Sequence, residues 1–174
     1  MNILIAVAPE NFRDEELAVP VTEFRRAGIT FDIASTRHGP CTGMLGAKTT
    51  ATFSFGEVNP QHYGCLVIIG GVGSQTYLWN DDQLIHLAKY FHDSQKIVAA
   101  ICLAPVVLAH AGVLKGKKAT VFYSPASVRE MKDGGAVLVD KPVVVDGRII
   151  TANGPAAALE FAGAILRIIT ESGQ

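Results

Sequence analysis

The apolar positions of this chain fall in short, continuous, β-branched runs: "NILIAVA" at 2–8, "TFDIAS" at 30–35, "CLVIIGG" at 65–71, "KIVAAIC" at 96–102 and "KATVF" at 118–122. They do not alternate with polar residues, and strands buried on both faces of a parallel sheet read this way. Between them the pattern takes a helical period. Residues 14–28 ("DEELAVPVTEFRRAG") open with acids, place Leu17, Val21 and Phe24 at i, i+4 and i+7, and end on two arginines and a glycine. That predicts a helix with charge-matched ends and a glycine stop, bent by the proline inside it, Pro20. Residues 80–95 begin with Asn and Asp cap candidates and set Leu84, Leu87, Ala88 and Phe91 on one face. Further helices are expected at 104–112, at 124–135 between Ser-Pro and Gly-Gly, and at 154–170. "AVLVD" and "PVVVDGRII" read as strands around an Asp-Gly turn.

Strand and helix alternating from end to end predict one α/β domain over residues 1–174, a mainly parallel sheet covered by helices on both faces. Such sheets carry their chemistry beyond the carboxyl ends of the strands. Three stretches fall there. Cys102 ends one strand and turns at once into an Ala-Pro-initiated helix, where a thiolate gains from the helix dipole; a buried structural cysteine is the plain alternative. "IIGGVGS" (68–74) ends another strand. Its glycines could present a bare N–H to a reacting oxygen or form an ordinary tight turn; the pattern matches neither common nucleotide-binding loop. "PENFRDEEL" (9–17) follows the first strand and holds Glu10, Asp14, Glu15 and Glu16. Helix charge matching is its default reading, and spacing does not select one carboxylate.

Composition narrows the partners. Charged residues make up 18 % of the chain against 49 % apolar, so self-association as a dimer or higher oligomer is expected. A net charge of −1 and no basic run beyond Lys115-Gly-Lys117-Lys118 argue against nucleic acid or a membrane surface as partner. The opening residues read as a first strand and not a signal peptide, and with three unpaired cysteines the expected compartment is the reducing cytoplasm. Cys41, Cys65 and Cys102 form no close pair, against a disulfide framework or a zinc site. No metal or cofactor is expected. His110 lies eight residues beyond Cys102, roughly 12 Å along a helix, too far for a direct Cys–His pair.

Together the corners resemble the ThiJ/PfpI superfamily. The matching stretches are "FRDEELAVPVTEFRRAG", "CLVIIGGVGS", "VAAICLAPVVLAHAGVLKGKKAT", "PVVVDGRIITANGP" and "FAGAIL", in the family's order over nearly the whole chain. The resemblance implies a flavodoxin-like sandwich like that of class I glutamine amidotransferases, a nucleophile elbow at Cys102, a buried acid at Glu16 that bonds the thiol, and oxyanion-binding amides at Gly71 and Leu103. The departures bear on chemistry. PfpI-type proteases carry His after the cysteine and a Glu shortly after the Gly-Gly; here those positions hold Leu103 and Gln75. The deglycase and glyoxalase branch has His before a proline where this chain has Ser124, and Asn153 replaces a cation near the rim. A peptidase is disfavoured. The leading expectation is a cysteine-dependent enzyme acting on a small reactive carbonyl, glyoxalase- or deglycase-like. The alternatives are a redox or stress sensor working through Cys102 oxidation, and a hydrolase or amidase whose proton carrier, such as a histidine, is brought in by the fold or a second subunit.

Overall fold

A computed structural model describes residues 1–173. The elements run β1 (Asn2–Ala6), β2 (Glu10–Phe12), α1 (Asp14–Arg26), β3 (Thr30–Ser35), β4 (Gly39–Gly43), β5 (Lys48–Ala51), β6 (Phe53–Ser54), β7 (Cys65–Ile68), α2 (Val72–Tyr77), α3 (Asp82–Asp93), β8 (Ile97–Ile101), α4 (Pro105–His110), β9 (Lys118–Ala119), α5 (Pro125–Asp133), β10 (Val137–Leu138), β11 (Val143–Asp146), β12 (Ile149–Ala152) and α6 (Ala158–Ser172). The central sheet has the order β11-β12-β8-β7-β1-β3-β6, parallel except for β11. The architecture is the expected flavodoxin-like one.

The strands that read as continuous apolar runs are the ones in the middle. Every residue of β7 and β8 is buried, as are all of β1 but Asn2. Helices cover both faces of such a sheet, so neither face can be polar. Asp81 caps α3 by accepting the Leu84 amide at 2.8 Å, and Ser124 caps α5 by accepting the Ser127 amide at 3.1 Å. α1 runs unbroken through the buried Pro20 and stops at Gly28, whose φ of +69° suits glycine. The Asp-Gly turn is present as the antiparallel β11–β12 hairpin, with Gly147 at φ +63°.

The structure departs from the sequence reading in three places. The run at 118–122 gives only the two-residue β9, and "AVLVD" gives β10; the two pair in parallel with each other, outside the main sheet. The glycine-rich segment after β7 continues into a short helix, α2. A second sheet, β2-β4-β5, folds beside the first. Asp14 ties it to α1, accepting the Leu45 amide at 3.0 Å and the Ala47 amide at 2.8 Å across the β4–β5 turn. The acidic opening of α1 therefore does more than match the dipole: Asp14 holds a neighbouring turn and Glu16 is fully buried.

Candidate active site

Cys102 follows β8 with φ +63°, a left-handed conformation that costs a non-glycine residue about 1 kcal/mol. Its neighbours over-determine it. The Cys102 amide donates to the Ala152 carbonyl at 2.8 Å and its carbonyl accepts the Phe122 amide at 2.8 Å. The side chain is thus thrown out of the strand line at the sheet's carboxyl edge, the geometry of a nucleophile elbow. α4 begins three residues later, and five of its residues are buried.

Glu16 reaches the elbow from α1. Its carboxyl is buried; Oε2 accepts the Gly70 amide at 2.9 Å, and Oε1 has no hydrogen-bond partner. The same carboxyl lies close to the Cys102 side chain across the bare Gly70, and the Gly71 and Leu103 amides favour the thiolate form of the thiol. Gly71 adopts φ +99°, and a side chain there would strike the Arg13 nitrogen at 2.5 Å. The Arg13 amide in turn donates to the Gly70 carbonyl at 3.0 Å, locking the β2–α1 connection to the Gly-Gly loop.

Electrostatics in this corner differ from the expectation of a standing thiolate. Burial and a negative charge on Glu16 push the Cys102 thiol up to about 12, while the Gly71 and Leu103 amides pull the other way. A six-residue helix that starts beyond the elbow does not outweigh desolvation of a cysteine that is only 7 % exposed. Burial also raises Glu16, to about 7, against the neighbouring Cys102 thiol, the hydrogen bond from the Gly70 amide and the Arg13 charge.

A cavity of about 160 Å³ opens on Cys102. Gly71 and Leu103 line it with the apolar side chains of Met44, Val72, Phe122 and Pro155, and Arg13 is its one charged lining residue. No histidine lines it. His110 points elsewhere: Nδ1 lies 2.6 Å from the Trp79 carbonyl and Nε2 lies 2.9 Å from Glu130 Oε2. Gln75 is exposed on α2, and Ser124 is spent on capping α5. Asn153 lines a neighbouring space of about 380 Å³ that shares Phe122 and Pro155 with the cavity. Cys41 and Cys65 are buried in the core. Among the described residues, no three His, Cys, Asp or Glu side chains gather as a metal would need, and no helix is long and apolar enough to cross a membrane.

With this geometry in hand, comparison with known proteins is decisive about kinship. The family model described as DJ-1/PfpI matches residues 1–168. The chain belongs to the DJ-1/PfpI family. Among its DJ-1/PfpI relatives, an uncharacterized protein of Methanocaldococcus jannaschii is 48 % identical over 172 residues, 99 % of this chain and 84 % of that one. A protein of Thermococcus kodakarensis named a deglycase is 35 % identical over 156 residues, covering 89 % of this chain and 91 % of that one. A crystal structure of a ThiJ/PfpI domain protein from Brachyspira murdochii superposes with a TM-score of 0.93 at 36 % identity, over 98 % of this chain and 96 % of that one.

Sequence reasoning named Cys102, Glu16, Gly71 and Leu103, and the fold brings all four together. It did not single out Arg13, Gly70, Met44 or Phe122 as parts of the corner. Gly70 had a signal, since the first glycine of a pair after a buried strand invites the question of what approaches it. Arg13 and Met44 had none: both come from irregular segments whose positions depend on the second sheet.

Proposed function

We propose that this protein is a cysteine-dependent enzyme acting on small reactive carbonyls, in the manner of a glyoxalase or deglycase. The observation that carries the reading is the meeting of the Glu16 carboxyl and the Cys102 side chain at Gly70, beside an open cavity lined by Cys102, Gly71 and Leu103. Relatives named deglycases in Thermococcus kodakarensis and Pyrococcus furiosus, 35 % and 34 % identical, support it.

In this mechanism the thiol is not ionised at rest. Glu16, raised to about 7, is poised near neutral pH to take the thiol proton as Sγ attacks the carbonyl carbon. The S–C bond forms, the carbonyl π pair moves onto oxygen, and the two amides hold the resulting oxyanion. The unpartnered Oε1 of Glu16 is a natural seat for the proton, which then passes to the oxyanion to give a hemithioacetal. For a 2-oxoaldehyde, Glu16 next takes the proton from the carbon now bonded to sulfur, giving an enediol, and returns it to the neighbouring carbon, which leaves a thioester on Cys102; water then breaks the S–C bond and releases the 2-hydroxy acid and the thiol. The absence of a histidine from the cavity lining leaves Glu16 as its proton carrier, and Leu103 and Gln75 disfavour a peptidase.

The test is consumption of methylglyoxal by purified protein, beside Cys102→Ala and Glu16→Gln. Turnover lost in both variants supports the reading; equal turnover in either sinks it. A second reading, oxidation of Cys102 as a redox signal, draws on Cys102 being the one cysteine that lines this cavity. It requires a two-oxygen mass gain on Cys102 ahead of Cys41 and Cys65 under peroxide.

A further inference from the structure

Arg13 stands out once the corner is assembled. Arg13 lines the Cys102 cavity, whose other lining side chains carry no fixed charge, and its guanidinium is near enough to the Cys102 sulfur for their charges to interact. Glu16, the nearest buried acid, is raised by burial to about 7, so its neutral form prevails below neutral pH. The Arg13 backbone is held by its amide bond to the Gly70 carbonyl and by the close approach of Gly71. Its side chain is held as well: Nε donates to Glu15 Oε2 at 2.8 Å and Nη2 to Glu15 Oε1 at 3.0 Å. This fork fixes the plane of the guanidinium and leaves Nη1 uncommitted. The result is a pre-positioned donor edge, 30 % exposed, at the mouth of an apolar cavity that ends on a nucleophile and two amides. At roughly 30 Å³ per water, the cavity holds about five waters, the size of a compound with four to six heavy atoms.

We infer that the site takes carbonyl compounds that carry a carboxylate next to the reacting carbon, the carboxylate seated on the free Nη1 edge of Arg13 while the carbonyl faces Cys102. This deepens the carbonyl reading above and rests on it. A neutral dicarbonyl fills the same space without using Arg13. A short 2-oxo acid uses both ends: Sγ adds to its keto carbon as the thiol proton passes to the carbonyl oxygen, and with no C–H on that carbon the adduct stops as a reversible hemithioketal, so such an acid occupies the site in competition with a dicarbonyl. Glu15 orients the guanidinium and does not compete for Nη1. Arg13 binds and orients in this scheme and takes no part in proton transfer.

The test compares two alkylating reagents of equal shape and different charge. Iodoacetate and iodoacetamide attack the same Sγ, and the ratio of their rates at Cys102, resolved by peptide mass spectrometry, reports the seat for a carboxylate. The ratio in the folded protein should exceed that of the unfolded chain by roughly three- to tenfold, the scale of one partly exposed charge-assisted hydrogen bond. It should fall to the unfolded value in Arg13→Gln, recover in part in Arg13→Lys, and shrink with added salt. A ratio that Arg13→Gln leaves unchanged overturns the inference. Calorimetry with oxamate, an unreactive analogue of a 2-oxo acid, on Cys102→Ala gives an independent arm: binding should be present there and lost when Arg13→Gln is added. No binding, or equal binding in both, also overturns it. Loss of iodoacetamide reactivity with oxamate binding intact would instead count against Cys102 as the nucleophile and leave the carboxylate seat standing.

Discussion

Glu16 and Cys102, from different elements, close on a single point: a side-chain carbon placed on Gly70 would lie 2.7 Å from the Glu16 Oε2 and 2.6 Å from the Cys102 Cβ. The Ile101 carbonyl would lie 2.5 Å from it as well. The bare glycine is what lets carboxyl and thiol meet. Gly70→Ala must push one of them away, at a cost of about 1–3 kcal/mol for overpacking. Denaturant midpoints should fall accordingly, and methylglyoxal turnover should fall with them. A variant of native stability and native activity would show that the corner has slack.

Glu16 also makes stability depend on pH. Its carboxyl rises from an ordinary value of 4.5 to about 7 on folding, so the folded state binds the proton more tightly than the unfolded state. The stabilisation is complete below about 4.5 and is lost as pH rises through 7. At 1.36 kcal/mol per unit, the span is at most about 3.5 kcal/mol. Wild type should lose stability relative to Glu16→Gln between pH 4.5 and 7.5 in urea titrations. Parallel curves would mean that Glu16 is not buried as described.

The far side of the elbow depends on the single tryptophan. Trp79 Nε1 donates to the Leu103 carbonyl at 2.8 Å, both residues being buried. Trp79→Phe keeps most of the packing and orphans that carbonyl, for about 1–3 kcal/mol. Because Leu103 supplies one of the two amides, turnover should fall at unchanged substrate affinity. His110→Ala, which removes the group beside the Trp79 carbonyl, should do the same more weakly.

The β4–β5 turn carries Met44 to the cavity, and Asp14 holds that turn through two amides. In Asp14→Ala, hydrogen exchange at the Leu45 and Ala47 amides should quicken while β7 and β8 remain protected. Unchanged exchange at these amides would assign the turn's order to packing alone.

What was legible in the chain tracks how local each signal is. β1, β7 and β8 announce themselves because burial on both faces leaves no polar residue to interrupt them. Asp81 and Ser124 announce their helices because a cap acts within three residues. The second sheet did not, since "GPCTG" and "KTTA" mix Gly, Pro and Thr and become strands only by pairing with each other and with β2. The four-residue set of Glu16, Gly71, Cys102 and Leu103 came from family resemblance; spacing left Glu16 among three neighbouring acids. Burial decides between them, and burial is a property of the assembled fold. The same holds for the thiol: a helix start after Cys102 suggested a lowered pKa, and the packing around it reverses the direction.

The most direct test of the account is the pH dependence of Cys102 alkylation by iodoacetamide, read separately from Cys41 and Cys65, in wild type and Glu16→Gln. Cys102 should react ahead of the two core cysteines. Removing the Glu16 charge should move its titration to lower pH, because that charge is among the causes that raise the thiol. The same variant should fail to turn over methylglyoxal, having lost its proton carrier. A Cys102 titration that Glu16→Gln leaves in place, or a Cys102 no faster than Cys41 and Cys65, would contradict a nucleophile coupled to Glu16.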